Sequence, residues 1–140
     1  MFLTRECDYA IRVVRNLAEG TKRKVEEISD DEHIPQKYAY KIVKKLEKAG
    51  YLVSIRGRGG GYRLHQPLES FTLADIVLAV DSERFLNECL KSDSDCPFKN
   101  SDNEPCTVHH ELVRIQEILL SELSSKSMAT VLRLEAVYRV

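Results

Sequence analysis

The chain has 140 residues, of which 43% are hydrophobic and 31% are charged, and its formal net charge is −1. This length suits one domain, or one domain with an extension. No apolar run approaches the ~20 residues that a membrane span requires, and the first residues lack the apolar segment of a signal peptide. We therefore expect a cytoplasmic protein.

The small net charge conceals an uneven distribution along the chain. Residues 1–66 contain 14 Lys and Arg against 9 Asp and Glu, a net +5, whereas residues 67–140 contain 7 against 13, a net −6. Between Pro35 and Arg63, eight basic residues accompany a single acid, Glu47. Such a local excess is typical of a surface that binds a polyanion. We expect that partner to contact only the first half of the chain.

Three helices are predicted in the first 50 residues. Thr4 is expected to N-cap a first helix that runs to about Glu19. A short second helix is expected over residues 25–31. Pro35 is predicted at the first position of a third helix, where its missing N–H costs nothing, and Gly50 ends that helix. Apolar residues repeat at helical spacing in the first and third helices.

A β-hairpin is predicted after the third helix. Tyr51–Ile55 and Tyr62–Leu64 have the composition of strands, and a glycine-rich turn over residues 56–61 joins them. Helix, short helix, basic helix and hairpin is the order of a winged helix-turn-helix. The predicted fold is therefore mainly α with a small β-hairpin wing. We assign residues 1–66 to this DNA-binding domain.

The second half is predicted to be helical around a polar segment. Thr72 is expected to N-cap a fourth helix over Leu73–Val80, and a cysteine-containing loop follows over residues 82–106. These features form a segment over residues 67–106. Residues 107–140 form a C-terminal segment with a long fifth helix, capped by Thr107, and a last short helix over Met128–Leu134.

The fifth helix carries more apolar surface than so small a core can cover. Its predicted stripe indicates a dimer seam. The residues of this stripe are Val108, Leu112, Ile115, Leu119 and Leu123.

The third helix is expected to enter the major groove of DNA with its first turns leading. Gln36 can pair bidentately with adenine, and lysines contact phosphates. In the wing, glycines let the backbone approach the minor groove, where Arg56 or Arg58 can insert. A lysine-rich face is often only a solvated surface, and glycines often only form a turn, but here the two features occur together. The predicted DNA contacts are Gln36, Lys37, Tyr38, Tyr40, Lys41, Lys44, Arg56, Arg58, Gly59, Gly60 and Tyr62.

Three cysteines lie close together in the polar loop. Six residues separate Cys89 from Cys96, nine separate Cys96 from Cys106, and His109 follows after two more. This spacing is too irregular for a zinc knuckle or ribbon, but it suits a cluster held mainly by thiolates. The alternative is free loop thiols, which are open to oxidation. Cys7 is expected to pack in the core.

Several of these segments resemble the Rrf-type family of bacterial winged-helix transcription regulators. The resemblance is carried by Met1–Thr4, by Ile34–Tyr38 at the start of the recognition helix, by the wing Arg56–Leu64 and by the three late cysteines. It implies a homodimer with crossed long helices that binds a palindromic operator in double-stranded DNA. It also implies an iron–sulfur cluster that switches DNA affinity, although some relatives lack the cysteines.

The resemblance makes the three late cysteines metal ligands and leaves the fourth ligand open. His109 matches the pattern that holds a [2Fe-2S] cluster, with a helix-start histidine as the alternative. Asp8 of the partner subunit matches the pattern that holds a [4Fe-4S] cluster, and its alternative is an i,i+4 pair with Arg12. In a third pattern, a helix-one acid acts with a histidine before the recognition helix, where His33 stands.

We therefore expect a homodimeric, sequence-specific transcription regulator, a repressor or an activator. Its iron–sulfur cluster would sense iron, nitric oxide or redox state. The alternative is a DNA-binding regulator that uses the same cysteines as a cluster-free thiol or zinc switch. A third interpretation is an interaction module or a subunit of an enzyme complex. The chain is not expected to be an enzyme, because it has no nucleophile–base pair and no phosphate loop.

Overall fold

The structure, a computed structural model, describes residues 3–82, 85–98 and 106–137. Its helices and strands confirm the predicted mainly α fold with a two-stranded antiparallel hairpin. Their bounds, in chain order, are α1 Arg5–Asn16, α2 Val25–Glu32, α3 Gln36–Lys48, β1 Leu52–Ile55, β2 Gly61–Leu64, α4 Leu73–Val80, α5 Thr107–Ser124 and α6 Met128–Val137. Among the described helices, none is both long and apolar enough to cross a membrane.

Helix α1 begins as predicted and ends one turn early. The Thr4 side chain accepts a hydrogen bond from the Cys7 backbone N–H, which makes Thr4 the N-cap. The helix stops at Asn16 rather than near Glu19. Beyond it the chain turns back, and the Gly20 N–H donates to the Leu17 carbonyl at 3.0 Å. Leu17 is fully buried, so the turn serves to bury this side chain.

The turn between α2 and α3 corrects the predicted place of Pro35. Pro35 has an extended ψ of 130° and is the N-cap of α3, not its first residue. Its carbonyl accepts from the Tyr38 N–H at 2.8 Å and so closes the first turn of α3. Helix α2 ends at Glu32 and is capped by His33, whose φ of 53° lies in the left-handed region. The Ser29 hydroxyl donates to the Ile34 carbonyl at 2.6 Å and holds this tight turn.

The core lies among the first four helices and the start of α6. Cys7 is fully buried in it, which confirms the expected packing role. Phe71 and Met128 are also buried, and the Met128 N–H donates to the Phe71 carbonyl at 2.8 Å. At about 1.5–3 kcal/mol for each large apolar side chain, these contacts bind α4 and α6 to the winged-helix unit. By contrast, no residue of α5 is buried.

The hairpin also pairs with one residue outside its two strands, Arg23. Strands β1 and β2 pair with Leu52 opposite Leu64 and Ile55 opposite Gly61, so β2 begins one residue before the predicted Tyr62 and β1 begins one residue after Tyr51. The backbone N–H and carbonyl of Arg23 bond those of Tyr62, each at 2.8 Å. This bridge ties the wing to the residues that precede α2.

The start of α5 also differs from the prediction. Cys106, not Thr107, is the N-cap, and its Sγ accepts from the His109 backbone N–H at 3.5 Å. The predicted cysteine loop contains a short 3₁₀ turn, Glu88–Leu90. Residues 83–84 and 99–105 of that loop lie outside the described residues, as do Met1 and Phe2 of the first resemblance motif. Helix α6 extends beyond the predicted end at Leu134.

Candidate nucleic-acid interface and cysteine segment

Helix α3 has one apolar and one polar face. Ala39, Ile42, Val43 and Leu46 are buried against the core, so the opposite face is presented outward. Gln36, Lys37, Lys41 and Lys44, all predicted to contact DNA, are exposed on that outward surface. An exposed polar helix after a tight turn has the form of a recognition helix.

The two tyrosines of α3 are exposed but have partners at their edges. The Tyr38 ring packs edge-on against Tyr9, with 5.7 Å between the ring centroids. The Tyr40 hydroxyl donates to the Glu26 carboxylate. This hydrogen bond lowers the pKa of Glu26 and raises the pKa of Tyr40. Tyr40 thereby lines one cavity with the start of α2 and the wing, and it stays exposed.

The lysines of α3 are partly neutralised by acids, one of which lies far away in sequence. Glu6 of α1 binds the ammonium groups of both Lys41 and Lys45, the latter at 2.7 Å. These two hydrogen bonds lower the pKa of Glu6, and the hydrogen bond to Glu6 raises the pKa of Lys41. Lys44 pairs with Glu47 at 3.2 Å. Counting only the charges between Pro35 and Arg63 therefore overstates the positive charge that is free on α3.

Lys45 does not share the outward surface with the other lysines. Its ammonium also donates, at 2.7 Å, to the carbonyl of Val80, which is the last residue of α4. It therefore joins α3 to the C-terminal end of α4, where a cation is favoured by the helix dipole. Neither Glu6 nor Lys45 was among the predicted site residues, because no local pattern marks a contact between residues 39 positions apart.

The wing exposes both of its arginines. Arg56 and Arg58 lie in the turn, and neither forms an ion pair within the described part of the chain. Gly57 and Gly59 have φ values of 98° and 68°, and a Cβ on Gly60 would lie 2.4 Å from the Ile55 carbonyl oxygen. Turn geometry alone thus accounts for these glycines.

One predicted contact, Tyr62, and the glycine before it have little freedom near the wing. Tyr62 is only 9% exposed, and Lys44 Nζ lies 5.6 Å from the centroid of its ring. A Cβ on Gly61 would lie 2.5 Å from the Arg23 carbonyl oxygen, so glycine is required there by the backbone bridge. Tyr62 therefore packs under the wing and leaves little surface for DNA.

The cysteine segment brings two of its three thiols together. Cys89 and Cys96 line one cavity of about 310 Å³, and the Asn87 amide donates to Cys89 Sγ at 3.5 Å. Cys106 stands at the start of α5. All three thiols are free and half-buried. Across the described ranges, no three Cys, His, Asp or Glu side chains are assembled into a group ready to hold a metal ion.

The possible fourth ligands differ in their surroundings. His109 Nδ1 is buried and has no hydrogen-bond partner among the described residues, one turn after Cys106. Asp8 forms the i,i+4 pair with Arg12, at 2.9 Å between Oδ2 and Nη2. His33 is exposed at the turn before α3. Three thiols and an orphaned imidazole nitrogen are donor types that fit an iron–sulfur cluster, although the described residues do not gather them into one group.

Comparison with known proteins identifies matches over nearly the whole chain. The family profile Rrf2, described as an iron-dependent transcriptional regulator, matches residues 3–134. A protein of Haemophilus influenzae that carries the name of an HTH-type transcriptional regulator is 33% identical over 138 residues, which cover 90% of this chain and 88% of that protein.

Solved structures show the same fold at low sequence identity. IscR of T. potens superposes with a TM-score of 0.76 at 19% identity, covering 100% of this chain and 92% of that one. CymR of B. subtilis, described as its global cysteine regulator, has a TM-score of 0.73 at 20% identity, with 96% and 98% covered. These likenesses support a winged helix-turn-helix followed by a C-terminal helix.

Proposed function

The chain belongs to the Rrf2 family of transcriptional regulators, and from this premise we propose that it is a homodimeric, cytoplasmic repressor or activator switched by an iron–sulfur cluster. As a member of this family it is a DNA-binding regulator and not an enzyme. Residues 1–66 would bind DNA, residues 67–106 would carry the switch, and residues 107–140 would dimerise. What supports the switch is the chemistry of the donors in this segment: Cys89 and Cys96 at one cavity, the free thiol of Cys106, and the orphaned His109 Nδ1.

The DNA contacts proposed are the exposed residues of α3 and the wing. Lys37 and the arginines at 56 and 58 have no acidic partner in the described part of the chain, so their charges are available to phosphates. Gln36 stands at the first position of α3, where a recognition helix reads base edges. Lys41, Lys44 and Tyr40 stand behind it on the same outward surface.

The partner proposed for α5 is a second copy of this chain. Eighteen residues of helix expose Val108, Ile115 and Ile118 at 64%, 40% and 50%. An isolated helix with such a face is not stable in water, because its stability comes from packing. A twofold dimer built on α5 presents two recognition helices, and its symmetry matches a palindromic operator.

The cluster proposed is held by the three late cysteines and a fourth ligand. His109 would complete a [2Fe-2S] site, and Asp8 of the partner subunit would complete a [4Fe-4S] site. The orphaned Nδ1 favours His109, whereas the pairing of Asp8 with Arg12 has to be broken before Asp8 can bind iron. When bound, the cluster supplies a centre whose integrity depends on iron, nitric oxide or redox state.

The spectrum of the protein purified without oxygen tests this proposal. We expect visible absorption and circular dichroism bands that disappear in Cys89→Ala. Cys7→Ala is the matched control, because it removes a core thiol outside the segment and should keep the colour. Loss or a shift of the bands in His109→Ala or in Asp8→Ala identifies the fourth ligand. If the wild-type protein is colourless although iron was present during its production, the cluster is refuted.

A cluster-free thiol or zinc switch is the second candidate. It is favoured by the free, half-buried state of all three thiols and by the cavity that Cys89 and Cys96 share. In that case the protein is colourless, and DNA affinity changes with an oxidant or with stoichiometric zinc. Metal analysis beside the spectrum separates the two forms of this candidate.

A further inference from the structure

Glu6 lies where the first helix meets the recognition helix. Its carboxylate receives the ammonium groups of Lys41 and Lys45 from successive turns of α3. Glu6, Lys45 and Tyr38 line one cavity beside the start of α3, so the carboxylate lies next to the proposed DNA surface. Only 23% of the Glu6 side chain is exposed, which keeps it in place between the two lysines.

The two lysines depend on Glu6 to different degrees. Lys45 keeps a second partner, the Val80 carbonyl, and stays anchored to α4 without Glu6. Lys41 is 52% exposed, and Glu6 is its acidic partner within the described part of the chain. Glu6 therefore controls chiefly whether Lys41 is available to another anion.

We propose that Glu6 is a positioning residue, which withholds Lys41 from DNA phosphates and so weakens phosphate-driven binding to DNA of any sequence. The inference rests on the proposed DNA-binding surface of α3, and it is independent of the cluster. Phosphate contacts supply most non-specific affinity, whereas base contacts supply discrimination. A carboxylate that holds back one phosphate-binding lysine thus lowers the affinity shared by all sequences and leaves base discrimination to other residues.

The size of the effect follows from counterion release. Each lysine that neutralises one phosphate adds about 0.9 to the magnitude of the slope of log affinity against log salt. Glu6→Gln should therefore steepen this slope by about one for a duplex of random sequence. Affinity for that duplex should rise by roughly three- to tenfold at the lower end of a range from about 50 to 200 mM salt.

Matched lysine variants test whether the effect passes through Lys41. Lys37 and Lys41 are both exposed lysines of α3, but only Lys41 contacts Glu6. In the wild type we expect Lys37→Met to reduce the magnitude of the slope by about one and Lys41→Met to reduce it clearly less. In the Glu6→Gln background, Lys41→Met should remove the whole added slope.

Glu69→Gln is the charge-matched control, because Glu69 pairs with Arg133 of α6 at 3.6 Å and lies outside the DNA surface. The inference is overturned if Glu6→Gln leaves the slope unchanged, or if Lys41→Met and Lys37→Met have equal effects in the wild type. The lysine comparison decides the matter even if Glu6→Gln does not fold. A wild-type protein that binds no DNA overturns the proposed function itself, which is a separate result.

Discussion

Two carboxylates join α1 to the helices that follow it. Glu6 bonds the lysines of α3, and Glu32, at the end of α2, forms an ion pair with Arg15. Glu32 is buried and also accepts from the Asn16 side chain at 3.4 Å. A buried carboxylate without its partners costs several kcal/mol, so these residues fix how the helices meet.

The Glu6 contacts predict how stability depends on pH. The lysine hydrogen bonds lower the pKa of Glu6 in the folded state below its ordinary value of 4.5. The folded protein thus favours the ionised form, and this stabilisation is complete above pH 4.5. It is lost as the pH falls from there through the lowered pKa.

Thermal unfolding of the wild type and of Glu6→Gln, measured from neutral pH to pH 3, checks this prediction. The wild type should have the higher Tm at neutral pH, and the difference should narrow below pH 4.5. A difference that stayed constant across the range would mean that the charge of Glu6 does not contribute to stability.

Among the elements, α5 is the one whose sequence is not explained by the single chain. The helix is attached near its middle and beyond its end: the Gln116 side chain accepts from the Leu86 N–H at 3.0 Å, and Met128 is buried shortly after Ser124. The apolar stripe of α5 has no buried residue, and Val108 and Ile115 on it are 64% and 40% exposed. This arrangement would leave the stripe open to the second copy of the chain that we propose as its partner.

A charge placed on the stripe should therefore separate the dimer. Ile115→Glu puts a carboxylate into the proposed seam twice, because of the twofold symmetry. Each buried polar group without a partner costs about 1–3 kcal/mol, so the dissociation constant should rise by roughly a hundredfold. Light scattering after size-exclusion chromatography measures the result.

Ser121→Glu provides the comparison for this substitution. It adds the same carboxylate to the exposed opposite side of α5 and should leave the dimer intact. Equal behaviour of the two variants would argue against a seam on the apolar stripe. A wild-type protein that is monomeric would remove the proposed dimer altogether.

At the scale of the whole molecule, one chain of contacts joins the cysteine segment to the DNA surface. Helix α4 ends at Val80, directly before that segment, and the Val80 carbonyl is bonded by Lys45 of α3. A shift of the cysteine segment can therefore reach the recognition helix through α4. Operator binding is sensitive to such shifts, because half-site spacing is a geometric constraint.

Lys45→Met should uncouple the two regions. Allosteric couplings are typically about 1–3 kcal/mol, or a 5- to 150-fold ratio of affinities. If the proposed cluster is present, we expect the variant to keep its bands, while the ratio of operator affinities between cluster-loaded and cluster-free protein falls toward one.

Lys48→Met is the control, since Lys48 lines the same groove as Val80 but makes no contact with its carbonyl. The ratio compares each variant with itself, with and without its cluster. A loss of phosphate affinity that is equal in both states therefore cancels from the ratio. An unchanged ratio in Lys45→Met would exclude this route.

Most of the fold could be predicted from sequence because its signals are local. The Thr4 and Thr72 caps, the glycine turn of the wing and the apolar repeat of α3 each involve residues within a few positions of one another. The errors also have local causes. The predicted starts of α3 and α5 are each wrong by one position: Pro35 is the N-cap and not the first helical residue, and Thr107 is the first helical residue and not the N-cap. A shift of one position leaves the apolar pattern unchanged, so the sequence does not decide between the two assignments.

By itself, the sequence determined the order of helices and strands, the exposed basic face of α3 and the set of cysteines. Only the tertiary structure decided which charges are free. Glu6 meets Lys41 across 35 positions, and glycine at position 61 is required by the backbone of Arg23. Such contacts depend on how helices pack, and the packing energy comes from apolar side chains with no preference for which charges it brings together. For that reason the partners of individual charges could not be read from the sequence.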